Sequence, residues 1–107
     1  MTPRQEKLNV HVRTIIAEFL RKEFGTSPLV SVTELFVARG LQSARALITV
    51  FPAHEEERVC AVLKKRQGAL RQYLALHTRM KYVPEVFFEI DRGEQNRQRI
   101  EELLKES

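Results

Sequence analysis

Between Arg58 and Pro84 the chain carries seven cations, Arg58, Lys64, Lys65, Arg66, Arg71, Arg79 and Lys81, and no Asp or Glu. A solvated face ordinarily mixes signs, so a one-signed stretch suits a polyanion whose phosphates release counterions when neutralised. The flanks do not share the bias: residues 1–57 hold seven basic and seven acidic side chains, and residues 85–107 hold four basic and seven acidic. The formal charge of +4 is therefore set by the middle of the chain. Lys64, Lys65, Arg66, Arg71, Arg79 and Lys81 are the candidate phosphate contacts, with Arg39 and Arg45, further up the chain, as a second candidate area. On charge alone, a non-catalytic adaptor docking an acidic protein on the same face is the alternative.

Other chemistry finds less support. His11, His54 and His77 fall on different segments and lack the i, i+4 spacing that would put two metal ligands on one helical face, so they read as surface or packing residues. Glu55-Glu56-Glu57 sits where carboxylates complement the positive end of a helix dipole, which accounts for it without a metal. Cys60, the lone cysteine, abuts an apolar stripe, has no partner for an internal disulfide and no evident base beside it, and so reads as a small core residue in a reducing compartment. Tyr82 and Phe87 could stack on bases, although a strand aromatic facing helices ordinarily belongs to the core. No catalysis, cofactor or metal is implied. With no apolar run before the first charges and no stretch near the ~18 apolar residues that a membrane span needs, the cytoplasm is the expected location.

The elements that must position these cations follow from periodicity. At 107 residues and 43% apolar composition, the chain fits one domain over 1–107, with residues 1–6 and 93–107 as its looser ends. Leu8, Val12, Ile15, Ile16, Phe19 and Leu20 trace one face of a first helix that stops at Phe24 before Gly25 and Pro28. Thr2-Pro3-Arg4-Gln5 has capping-box spacing, with Pro at the first helical position. Residues 29–38 read as a strand in which Val30, Val32 and Phe36 share a face against Ser31 and Thr33. A second strand at 44–51 sets Ala44, Ala46, Ile48 and Val50 against Arg45, Leu47, Thr49 and Phe51. Over 55–79 a helical stripe of Val59, Val62, Leu63, Leu70, Tyr73 and Leu74 leaves Lys64, Lys65 and Arg71 on the opposite side. A third strand begins after Pro84, with Val86, Phe88 and Ile90 on one face, and Ile100, Leu103 and Leu104 mark a short terminal helix.

Gly68 interrupts the basic helical segment at a cost of roughly 1 kcal/mol relative to Ala. It is read as a kink at Gln67-Gly68 between two helices, which would also relieve Arg66 of its place in the apolar stripe. The resulting α+β order, αββααβ with helices on one face of a three-stranded sheet, is that of a type II KH-like fold, without the GXXG loop of backbone-clamping KH domains. VSVTELFV, ARALITVF, QGALRQYLA, MKYVPEVFFEID and RQRIEELL, in that order from about Leu8 to Leu104, resemble the ribosome-binding factor A family, which has a helix-kink-helix with an Ala-x-Gly kink in place of GXXG. Here Arg66 stands where that family usually has Ala, and DRGEQN replaces the usual Ser after the Asp. The resemblance implies a monomeric RNA-binding assembly factor for the small ribosomal subunit, acting on its rRNA during late maturation.

Overall fold

The structure, a computed structural model, describes residues 3–40 and 42–105, with the backbone alone for residues 3–6, 95 and 96. The chain runs α1 (Pro3–Phe24), β1 (Leu29–Val37), β2 (Ser43–Phe51), a 3-10 turn (Ala53–Glu55), α2 (Glu56–Lys65), α3 (Gln67–His77), β3 (Glu85–Ile90) and α4 (Glu94–Lys105). Pro3 opens α1 as the spacing predicts; the Thr2 cap lies outside the described residues. At the other end Gly25 adopts φ 70°, and its N–H donates to the Arg21 carbonyl at 2.7 Å. That left-handed cap is open to Gly without steric cost and ends the helix before Pro28.

The strands form a mixed sheet in the order β1-β2-β3, with β2 antiparallel to β1 and parallel to β3. The alternation read in the second and third strands holds: Ala44, Ala46, Ile48, Val50 and Val86 are buried, with Phe88 and Ile90 packed against them. In β1 it does not hold to the end. A bulge at Thr33 shifts the register, so that Val32 pairs with Ile48 but Glu34 with Leu47. One extra residue reverses the parity of everything after it. Leu35, with Val37, therefore takes the core-facing place expected for Phe36, which turns to the opposite face.

α1, α2 and α3 cover the core face, as expected. Val12, Ile15, Ile16, Phe19 and Leu20 of α1, Val59 and Leu63 of α2, and Leu70 and Leu74 of α3 form one buried cluster with the strand residues. Each such aliphatic side chain contributes about 1.5–3 kcal/mol through loss of apolar surface from water. The fourth helix seats elsewhere. Leu47, on the far face of β2, and Ile100 of α4 are both fully buried yet lie outside that cluster. Leu47 stands in a cross-strand row between Glu34 and Glu89, and α4 reaches both ends of the row. Arg97 Nε lies 3.5 Å from Glu34, and Arg99 pairs with Glu89. α4 thus lies on the second face of the sheet, where Ile100 is buried and Arg97 and Arg99 pair with strand carboxylates.

The return of the chain into α4 is tied to the bulge. The Thr33 hydroxyl donates to Asp91 Oδ2 at 2.6 Å, Gly93 N–H donates to Asp91 Oδ1 at 2.9 Å, and Arg97 donates to Asp91 Oδ2 at 2.8 Å. Gly93 makes this turn at φ 87°, a conformation that favours glycine.

Candidate nucleic-acid interface

The helical segment breaks at a single residue. α2 ends at Lys65, Arg66 takes φ −99° and ψ 16°, and α3 begins at Gln67. The Arg66 N–H is shared between the Val62 and Leu63 carbonyls at 3.0 and 3.2 Å, while its own carbonyl accepts from Leu70 N–H at 3.0 Å. Both helices are therefore hydrogen-bonded up to the break. Gln67 anchors the new direction, its Nε2 donating to the Val86 carbonyl of β3 at 2.6 Å. This corrects the placing of the kink at Gln67-Gly68. Gly68 lies in the first turn of α3 with no left-handed backbone, and a Cβ built there meets nothing within 4 Å. The sequence signal for the true break is Arg66 itself, a cation in the apolar stripe that a straight helix would bury.

The break separates the candidate cations into two kinds. Lys64 and Lys65 at the end of α2, Arg71 on α3, and Arg79 and Lys81 after it are exposed and form no ion pair with the described residues. Arg39 is likewise exposed, in the turn between β1 and β2 beside Gly40. Arg66 is engaged, its Nε donating to Glu23 Oε1 of α1 at 2.6 Å. Arg45 is engaged as well: it donates to Glu89 Oε1 at 3.0 Å, and its guanidinium lies 4.9 Å from the Phe87 ring centroid on the α4 side of the sheet. Arg45 and Phe87 thus belong to the second sheet face and not to the α2–α3 surface.

Sequence reasoning missed Lys22. It sits on α1 with its ammonium 5.1 Å from the centroid of the Tyr73 ring of α3, adding a cation beside this surface. Lys22 lies in a charge-balanced stretch, and only the packing of α1 on α3 brings it there.

Two of the scattered histidines come together. His11 of α1 and His77 at the end of α3 line one groove of about 600 Å³, with Gly40 and the segment from Thr78 to Tyr82. Thr78 shapes the segment by capping α3: both its N–H and its hydroxyl donate to the Leu74 carbonyl, at 2.9 and 2.7 Å. Among the described residues no three His, Cys, Asp or Glu side chains are placed to hold a metal ion, and no helix is long and apolar enough to cross a membrane. Cys60 is half-buried, and desolvation, with Glu56 adding, pushes its thiol pKa up, away from the reactive thiolate.

The ribosome-binding factor A family model matches residues 4–104. Ribosome-binding factor A of Dictyoglomus thermophilum is 32% identical over 110 residues, covering 99% of this chain and 92% of that protein. The Thermomicrobium roseum protein of the same name is 30% identical over 108 residues, covering 96% and 82%. Among solved structures, the crystal structure of ribosome-binding factor A from Thermus thermophilus superposes with a TM-score of 0.74 at 20% identity, covering 83% of this chain and 97% of that one. Coordinates of the T. thermophilus factor fitted into a cryo-electron microscopy map of a 30S complex give 0.71 at 19% identity, covering 81% and 94%. The chain belongs to the ribosome-binding factor A family, and its fold is KH-like.

Proposed function

We propose that this ribosome-binding factor A family member binds the small ribosomal subunit through its rRNA and acts, without catalysis and in the cytoplasm, in late maturation of that subunit and processing of its rRNA. The observation that carries the reading is the set of exposed cations with no ion-pair partner among the described residues, Lys64, Lys65, Arg71, Arg79 and Lys81, along a segment free of carboxylates. Phosphate contacts of this kind position a protein on RNA without reading sequence. The T. thermophilus relative fitted in a 30S complex supplies the partner class.

Co-sedimentation of the purified protein with isolated small subunits, with large subunits as control, tests the partner. The reading requires association with small subunits that weakens when Lys64, Lys65 and Arg71 are changed together to Gln in a protein of unchanged circular dichroism. Arg99→Gln, at a cation 53% exposed on α4 at the second face of the sheet, should leave association intact. Cells lacking the protein should accumulate unprocessed small-subunit rRNA. Unchanged sedimentation of the triple variant would place the RNA surface elsewhere.

A further inference from the structure

The groove at the end of α3 joins features that the phosphate-contacting role does not require. Its floor is apolar: Leu8 of α1 and Met80 both pack against the main core and also line it. Its rim charges are of one sign, Arg79 and Lys81, and no carboxylate is among the described lining residues. At about 600 Å³ it falls in the ~300–1,000 Å³ range of small-molecule sites.

Besides His11, two flat rings line the same space. The His77 ring is braced from behind, stacked on Tyr73 with centroids 4.0 Å apart and 26° between planes, while its Nδ1 lies 2.8 Å from the Tyr73 carbonyl. That contact requires Nδ1 to carry the proton and donate, which fixes the ring's orientation. Tyr73 is itself held against Phe19 of the core at 5.7 Å. Tyr82, which lines the groove as well, is 75% exposed, an unusual position for a large aromatic ring, with the Lys81 ammonium 5.6 Å from its centroid. Stacking planes, an apolar floor and a cationic rim match a nucleobase carried on a phosphate backbone. An acidic peptide would use the rim but neither ring.

We propose that this groove receives one unpaired base of an RNA strand, stacked against His77 and Tyr82, with the flanking phosphates held by Arg79 and Lys81. The proposal rests on the reading that the cationic surface meets rRNA, and adds to it a place where single-stranded RNA is distinguished from duplex. A base inside a helix presents no free face to stack; an unpaired one does.

The test uses a pentamer of adenosine ribonucleotides and the same pentamer with an abasic central ribose, titrated into the full chain and followed by amide NMR shifts and affinity. The base-bearing pentamer should shift the amides of residues 77–82 and of His11, and the abasic one should bind about tenfold more weakly, the size expected for loss of one base–aromatic stack. Tyr82→Ala, at an exposed position that leaves folding intact, should lose a similar factor for the base-bearing pentamer and little for the abasic one. Equal affinity for the two pentamers, or shifts confined to residues 64–71, would overturn the groove assignment. So would failure of both pentamers to bind a protein that still co-sediments with small subunits, in which case the ribosomal reading stands. Failure of pentamers and subunits together would remove both.

Discussion

Arg66 and Glu23 close the α2–α3 break from outside, with Arg66 Nε 2.6 Å from Glu23 Oε1 and the two side chains 48% and 21% exposed. A pair this open to water contributes about 0–1 kcal/mol, so Arg66→Ala should lower stability by no more than that. Its effect on binding is more diagnostic. Glu23 neutralises Arg66, so Glu23→Gln frees a cation beside Lys64 and Lys65. Association with small subunits should tighten and its salt dependence steepen. Weaker binding by a folded Glu23→Gln protein would separate this part of the molecule from the RNA surface.

Gly68→Ala should not destabilise the domain. The residue lies in the first turn of α3 with open space around its Cα and no left-handed backbone, so Ala reduces the entropy of the unfolded chain without a steric cost. A gain of a few tenths to about 1 kcal/mol is expected, read as a rise in melting temperature. A fall would mean that the break draws on Gly68 in a way its surroundings do not reveal.

Gly68 also illustrates how far the sequence could be read. Its composition signal was strong, yet the interruption fell two residues earlier, where Arg66 could not remain in a buried stripe. Strands whose apolar alternation is uninterrupted, such as Ala44 to Val50, were legible because period two leaves one arrangement. The bulge at Thr33 was not, because it is decided by which residues of β2 and which carboxylate, Asp91, lie opposite. α4 was legible as a helix from Ile100, Leu103 and Leu104, but its seat depended on Leu47, an apolar residue on the strand face assumed to look outward. Of the candidate site, charge found the exposed cations; it could not know that Glu23 and Glu89 had already taken Arg66 and Arg45.

The anchor of α4 can be tested directly. Ile100 is fully buried, on the helix that lies over the second face of the sheet, and its truncation both removes apolar contact and leaves a cavity. Ile100→Ala should cost about 2–5 kcal/mol. Hydrogen exchange should show α4 amides losing protection first. A loss well under 1 kcal/mol would mean that α4 is held by its ion pairs alone.

Asp91 provides a pH-dependent latch for the same helix. The hydrogen bond from Thr33, then that from Gly93 N–H, and then the charge of Arg97 hold its carboxyl below the ordinary value of 3.8. A carboxylate depressed in the folded state contributes stability that is fully present above its unfolded pKa and is lost as pH falls through the folded pKa. Asp91→Asn should therefore be less stable than the parent at neutral pH, and the difference should shrink as pH drops below 3.8. Denaturant midpoints across acid pH measure this, and a difference independent of pH would assign the effect to packing.

The eight candidate cations make the sharpest division. Arg39, Lys64, Lys65, Arg71, Arg79 and Lys81 are exposed without ion-pair partners among the described residues, whereas Arg66 and Arg45 are engaged. For a contact to single-stranded or duplex nucleic acid, each neutralised phosphate contributes about 0.7–0.9 to the slope of log affinity against log salt. Single Gln substitutions at Lys64, Lys65, Arg71, Arg79 and Lys81 should each flatten the slope for small-subunit binding by up to that amount while leaving the melting temperature within the small range typical of surface changes. Arg45→Gln should do the reverse. It removes the bond to Glu89 and the cover of the Phe87 ring on the second face of the sheet, so stability falls while the salt slope stays unchanged. A flattened slope from Arg45→Gln, with none from the helical cations, would move the RNA surface to the α4 side of the sheet.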